Sequence, residues 1–238
     1  MVDLSFSVEG AQVERFAAAP FILFRVAIDC REDSCSIRNV MLQCQVRIET
    51  TRRAYQEDEK SRLSDLFGEP QQWSRPLQGL LWTHASTVVP AFERSCVASL
   101  PVPCSFDFNV AATKYFHGLA DGEVPLLLLF SGAVFYDDGQ GLQISQIGWD
   151  QEVRYRLPVA LWQDMMHLYY PDSAWLRLSR DVFARLERYK RRHALTAWEQ
   201  ALERLLDAQE RLDAHQQSGA HQHPGAHQHP EALGRAGA

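Results

Sequence analysis

No stretch of this chain stays apolar for long. The greasiest run, Val124 to Phe130 within EVPLLLLFSG, falls far short of a membrane span, so neither a transmembrane helix nor a membrane partner is expected. The opening MVDLSFSVEGAQ lacks the basic and apolar regions of a secretory signal, and a cytoplasmic address is the expectation. Cationic excess is missing too. With 24 Lys and Arg against 30 Asp and Glu the formal charge is −6, the wrong sign for displacing counterions from nucleic-acid phosphates, so no nucleic-acid partner is expected. The basic cluster Arg185, Arg188, Lys190, Arg191 and Arg192 crowds a helix end, where cations suit the negative pole of the dipole.

Signatures of chemistry are equally sparse. There is no glycine-rich phosphate loop ending in Lys and Ser or Thr, and no G-x-S-x-G elbow to make Ser86, two positions from His84, a nucleophile. The turn sequence DDGQG lacks the further oxygen ligands of a calcium loop. The five cysteines include no C-x-x-C pair, and the odd count disfavours a disulfide framework. Cys44, Cys96 and Cys104 fall on apolar strand phases and read as small core residues. Cys30 and Cys35 flank a loop containing Glu32 and Asp33, where negative neighbours raise a thiol's pKa and blunt its reactivity. His84, His117 and His167 each sit among aromatic or aliphatic residues and read as hydrogen-bonded structural groups. No catalytic acid can be named from the aspartates Asp107, Asp121, Asp137 and Asp138, because nothing in the sequence fixes their separation.

What the chain does have is alternation. In VMLQCQVRIE the residues Val40, Leu42, Cys44, Val46 and Ile48 face one way, and Gln43, Gln45, Arg47 and Glu49 the other, which only a strand with one buried face explains. Phe21 to Ile28 reads as a second strand, and the CREDSCSIRN loop between them predicts an antiparallel pair. Period two recurs in CSFDFNVA, from Cys104 to Val110, and in Val153 to Leu157. VPLLLLFSGAVFY predicts a central strand covered on both faces, forming a hairpin with LQISQI. Gln56 to Phe67 predicts a short helix lidding the sheet, stopped by Gly68 and Pro70.

Helical spacing takes over after Leu157. PVALWQDMMHLY opens with a proline suited to a first turn, a second helix begins at Ser179 with Val182, Phe183, Leu186 and Tyr189 on one stripe, and a third opens on a Thr196–Glu199 capping box. The expected architecture is α+β: an antiparallel sheet or sandwich over 1–157, a helical segment over 158–213 packed upon it, and a disordered His-rich tail over 214–238.

That tail carries the strongest local signal, HQHPGAHQHP, within a 25-residue end holding five histidines, four glycines and two prolines. Residues two apart in an extended segment project to the same side, so His221 with His223, and His227 with His229, each offer a two-nitrogen bite. Gly225 lets the pairs fold onto one ion, Pro224 and Pro230 oppose helix, and His215 lies just upstream as a further ligand. Imidazole suits nickel, copper or zinc rather than magnesium or calcium, and the tract is equally what slippage of a repeated codon block produces.

Two segments, VPCSFDFNVAATKYFHGLADGEVPLLLLFSGAVFY and YRLPVALWQDMMHLYYPDSAWLRLSRDVF, resemble an uncharacterised bacterial family associated with nickel–iron hydrogenase gene clusters, over about Phe6 to Leu206. The resemblance implies an accessory role in making or serving a hydrogenase and transfers no functional residue. With the histidine tract it leads to an expected function: a non-enzymatic accessory protein that binds a hydrogenase subunit or maturation factor and concentrates nickel, requiring no cofactor of its own. Two alternatives stand beside it, an enzyme with loop-borne groups around His84, His117 and the Cys30–Cys35 loop, and a general scaffold for apo subunits. A deep polar pocket joining those groups would favour the enzyme; a flat apolar patch on the sheet would favour the binding module.

Overall fold

A computed structural model of the chain describes residues 2–32, 36–70, 73, 79–105, 110–148, 150–173, 176 and 178–219, with backbone alone for 215–219. It divides into two units, Met1–Trp175 and Leu176–Ala238. The first is an antiparallel β-sandwich with helices, so the α+β expectation holds.

Eight strands make two sheets. One has the order β1 (Leu4–Val13), β2 (Phe21–Cys30), β5 (Ser95–Pro103). The other runs β4 (Leu80–Val89), β3 (Ser36–Ile48), β6 (Glu123–Asp137), with β7 (Leu142–Gln146) and β8 (Glu152–Pro158) sharing the far edge of β6. The alternation in sequence is the alternation in space: Ile22, Phe24, Val26 and Ile28 of β2, and Val40, Leu42, Cys44, Val46 and Ile48 of β3, are fully buried in one common core. Two inward faces covering each other is the usual solution for sheets with a single apolar side. Phe6 of β1 stacks on Phe130 of β6 with ring centroids 4.8 Å apart, and Phe24 of β2 meets the edge of Tyr155 of β8 at 5.8 Å.

Three expectations need correcting. First, β2 and β3 do not pair: β2 bonds β1 and β5, β3 bonds β4 and β6, and the loop between them passes from one sheet to the other. Alternation reports a buried face, not a hydrogen-bonded neighbour. Second, the described ends of CSFDFNVA are not strand. β5 ends at Pro103, Cys104 is buried with its N–H donating to the Pro20 carbonyl, and Val110 opens helix α3 (Val110–Gly118); residues 106–109 lie outside the described part. Third, β6 is central but not covered on both sides, since Leu127, Leu129, Ala133 and Phe135 on its outer face are only half-buried. The hairpin of β6 and β7 forms as expected, through a turn in which Asp137 and Asp138 accept from the N–H groups of Gly139 and Gln140.

The predicted lid splits at Leu63 into α1 (Glu57–Arg62) and α2 (Ser64–Phe67), both packed against α3. Helix α4 (Val159–Tyr169) follows Pro158, the last residue of β8, and buries Trp162, Met165 and Met166 while packing on β1, β2 and β8. It therefore belongs with the sheets, and the division of the chain falls after it, not at residue 157.

In the second unit, α5 (Arg180–Arg192) starts where expected, with Ser179 Oγ accepting from the N–H of Val182. Helix α6 (Trp198–Gly219) is opened differently: Gln200, not Glu199, reaches back, its Oε1 accepting from the N–H and hydroxyl of Thr196. It also runs farther than expected, so that 214–219, assigned above to the disordered tail, are helical in backbone.

Candidate functional site: an apolar sheet face

Most distinctive in the first unit is the outer face of the β4–β3–β6–β7 sheet. Register places Val88, Met41 and Ala133 side by side across β4, β3 and β6; one row further along, Phe135 lies beside Ile144, and Leu142 follows beside Asp137. Neighbouring strands lie about 4.8 Å apart, so these side chains line up in one strip on the same face. Val88, Met41, Ile144 and Leu142 are each more than half exposed. Gly132 lets β6 approach β3 here: its φ is +137°, and a Cβ at that position would lie 2.0 Å from the Met41 carbonyl oxygen.

The sequence held half of this signal. Met41 sits in the outward phase of β3, among Gln43, Gln45 and Arg47, where an apolar residue is out of place. In β7 the natural reading is inverted: Leu142 and Ile144 point out and Ser145 is buried, because pairing with β6 puts Ser145 opposite the inward Val134. Five residues of LQISQ cannot reveal that choice on their own.

Next along the same face, a groove of about 630 Å³ is bordered by Gln43, Gln45, His84, Ser86, Leu129 and Ser131. Gln45 Nε2 donates to His84 Nε2 over 3.0 Å, with the imidazole in the tautomer that carries its proton on Nδ1. Among the described residues no carboxylate borders the groove to orient His84 as a base. His117 opens into a separate cleft of about 480 Å³ with Trp162, Gln163, His167, Tyr170 and Asp172. Its ring stands edge-on to Trp162 at 4.8 Å, and burial holds its pKa below the usual value. His167 Nδ1 lies 3.2 Å from the Gln163 carbonyl oxygen, the contact expected of a structural histidine. A third cleft, about 520 Å³, is edged by Glu49, Arg52, Arg154 and Arg156. Its lining is cationic, three arginines to one glutamate: Glu49 lies 3.1 Å from Arg52 and 3.5 Å from Arg154, while Glu152 and Glu123 from outside the cleft lie 3.1 Å from Arg154 and 3.7 Å from Arg156.

The pocket that would have joined His84, His117 and the Cys30–Cys35 loop is not formed among the described residues, since the two histidines line different clefts and Cys30 lines neither. Cys35 lies outside those residues. Burial pushes the thiols of Cys44 and Cys104 up to about 12, against weaker opposing backbone hydrogen bonds, and raises that of Cys96, with the Asp29 charge adding to it. The readings of Cys44 and Cys104 as core residues hold; Cys96 is only half-buried. No group of three or more His, Cys, Asp or Glu side chains among the described residues is placed to hold a metal ion. Of the proposed ligands, His215 lies on the backbone of α6, and His221, His223, His227 and His229 lie outside the described residues. No helix among those residues is long and apolar enough to cross a membrane.

Comparison with curated proteins returns no match. Among solved structures, the chain matches the solution structure of a late embryogenesis abundant protein at 12% identity, over 65% of this chain and 71% of the other, with a TM-score of 0.28, an overlap too small to assign a fold. One family profile matches residues 1–214, leaving the histidine tract outside it, and the chain thus belongs to the family of unknown function DUF6084.

Proposed function

We propose that this chain is a non-enzymatic accessory protein whose sandwich docks a protein partner through the strip formed by Val88, Met41, Phe135, Ile144 and Leu142, and whose histidine-rich end binds nickel. The exposed strip carries the reading. Leaving a large aliphatic side chain in water forgoes about 1.5–3 kcal/mol relative to burial, and a contiguous group of them on one sheet face is the usual footprint of an interaction site. The partner class, a hydrogenase subunit or maturation factor, rests on the resemblance described above. A scaffold for apo subunits would use the same strip, and the identity of the captured protein separates the two. The docking reading is tested by affinity capture with Met41, Val88 and Ile144 changed to aspartate.

For the tail, the reasoning is chemical. Two closely spaced imidazole pairs, His221 with His223 and His227 with His229, raise the local concentration of ligand, and each must be deprotonated to bind. Replacing His221, His223, His227 and His229 by alanine is expected to abolish most nickel binding in calorimetry while leaving the metal-free melting temperature unchanged. Binding by the native chain should weaken as pH falls through about 6.5, where free imidazole protonates. Full stoichiometry in the alanine variant would place the metal elsewhere.

A further inference from the structure

The second unit, Leu176–Ala238, has almost no interior: among its described residues only Ala201 is buried. Two contacts from α5 land on Trp198, the first residue of α6, where Phe183 lies 5.1 Å away and the Lys190 ammonium 5.0 Å above the ring. Every residue from Glu203 to Ala214 is exposed, including Leu205, Leu206 at 63% and Leu212 at 58%. A helix of this length is marginal in water on propensity alone and owes its stability to packing of an apolar stripe. Trp198, Leu202, Leu205 and Leu212 supply such a stripe at spacings of four, three and seven.

Charge identifies the cover. Helix α5 carries six basic residues against two acidic, and α6 five acidic against two basic. Arg185, Arg188 and Arg192 recur at helical spacing on α5, while Glu199, Glu203, Asp207 and Glu210 form an acidic line along α6. Among the described residues, the ion pairs of this unit run within a single helix, Arg191 with Glu187 at 4.0 Å and Arg211 with Asp207 at 3.9 Å. The basic line of α5 and the acidic line of α6 thus form no ion pair with each other inside one chain. We infer that a second copy of this chain covers α6, with α5 of each copy lying along α6 of the other in a two-fold four-helix arrangement. Such an isologous contact pairs the basic line with the acidic line twice and buries the leucine stripe at the centre. An anionic lipid surface would suit α5 but meet repulsion from α6. The inference is independent of the docking strip and of nickel.

Sedimentation velocity on the full chain tests it. The expected result is a concentration-dependent dimer at twice the 27.2 kDa chain mass, weakened by salt. Leu205→Asp with Leu212→Asp is expected to give monomer with an unchanged body melting transition. Should that variant fail to fold, charge reversal still decides: Arg185→Glu with Arg188→Glu should weaken self-association roughly tenfold. Mixing it with a Glu203→Arg, Asp207→Arg chain should restore dimers as heterodimers. A native chain that stays monomeric at every concentration, reversed variants that show no preference for each other, or a monomer that instead sediments with phosphatidylglycerol vesicles would overturn the inference.

Discussion

Changing Gly132 to alanine is expected to be the most damaging small substitution in the first unit, lowering its melting temperature by roughly 8–16 °C. Two costs add. At a φ of +137° an L side chain is strained by about 1–3 kcal/mol. The new Cβ would also lie 2.0 Å from the Met41 carbonyl oxygen, so two central strands must part, an overpacking cost of about 1–3 kcal/mol. A total of about 4 kcal/mol converts to that shift at roughly 2–4 °C per kcal/mol for a unit of this size. Gly139→Ala separates the two costs. Its φ is +86°, yet nothing lies within 4 Å of the added atom, so only the backbone strain of about 1 kcal/mol should appear. Equal melting temperatures for the two variants in thermal circular dichroism would contradict the close approach of β6 to β3.

The second large effect is centred on Arg53 and Glu59, whose side chains are only 9% and 2% exposed and 2.7 Å apart. Arg53 also donates to the carbonyl oxygens of Asp121 and Glu123, at 2.6 and 2.7 Å, while its Nε has no partner among the described residues. Glu59 accepts from the N–H groups of Ala120 and Gln56 as well, tying α1 to the loop that leads into β6. Arg53→Ala is expected to cost about 3–5 kcal/mol, because it strands a buried carboxylate. Burial pushes the pKa of Glu59 up, but the hydrogen bonds from Ala120, Gln56 and Arg53, with the guanidinium charge, outweigh it and hold the pKa below the ordinary value. The sign follows. A depressed folded pKa gives stability that is full above the unfolded value, about 4.3, and is lost as pH falls through the folded one. The gap between native and Arg53→Ala proteins in urea melts should therefore be widest near neutrality and close in acid. A gap that stays constant down to pH 3 would show that the pair acts by packing and not by charge.

How much of this was legible in the sequence depends on which physical signal each feature leaves. A buried face leaves alternation, so β2, β3, β6 and β8 were readable, as were the Ser179 cap and the β6–β7 hairpin with its turn aspartates. Pairing leaves no such trace. The β2–β3 loop looks the same whether the strands bond or cross to opposite sheets, and β1, with Gly10 near a register shift and mixed burial along its length, gave no clean period. CSFDFNVA alternates by composition, yet its ends belong to a buried loop and to α3. At the candidate site the limit is similar. Met41 out of phase was a visible clue, but the strip needs β7 to turn Leu142 and Ile144 outward, which only its register with β6 decides. The acidic line of α6 was readable as charge; that the helix stays exposed from Glu203 to Ala214 was not.

Affinity capture from hydrogenase-producing cells, native chain against a Met41→Asp, Val88→Asp, Ile144→Asp variant, tests the docking reading most directly. All three positions are exposed, so the variant should keep the native melting temperature within a few degrees and any loss of capture will report the strip itself. The expected result is a hydrogenase subunit or maturation factor retained by the native chain and released by the variant. Equal retention by both, or recovery of neither class of protein by the native chain, would contradict the account.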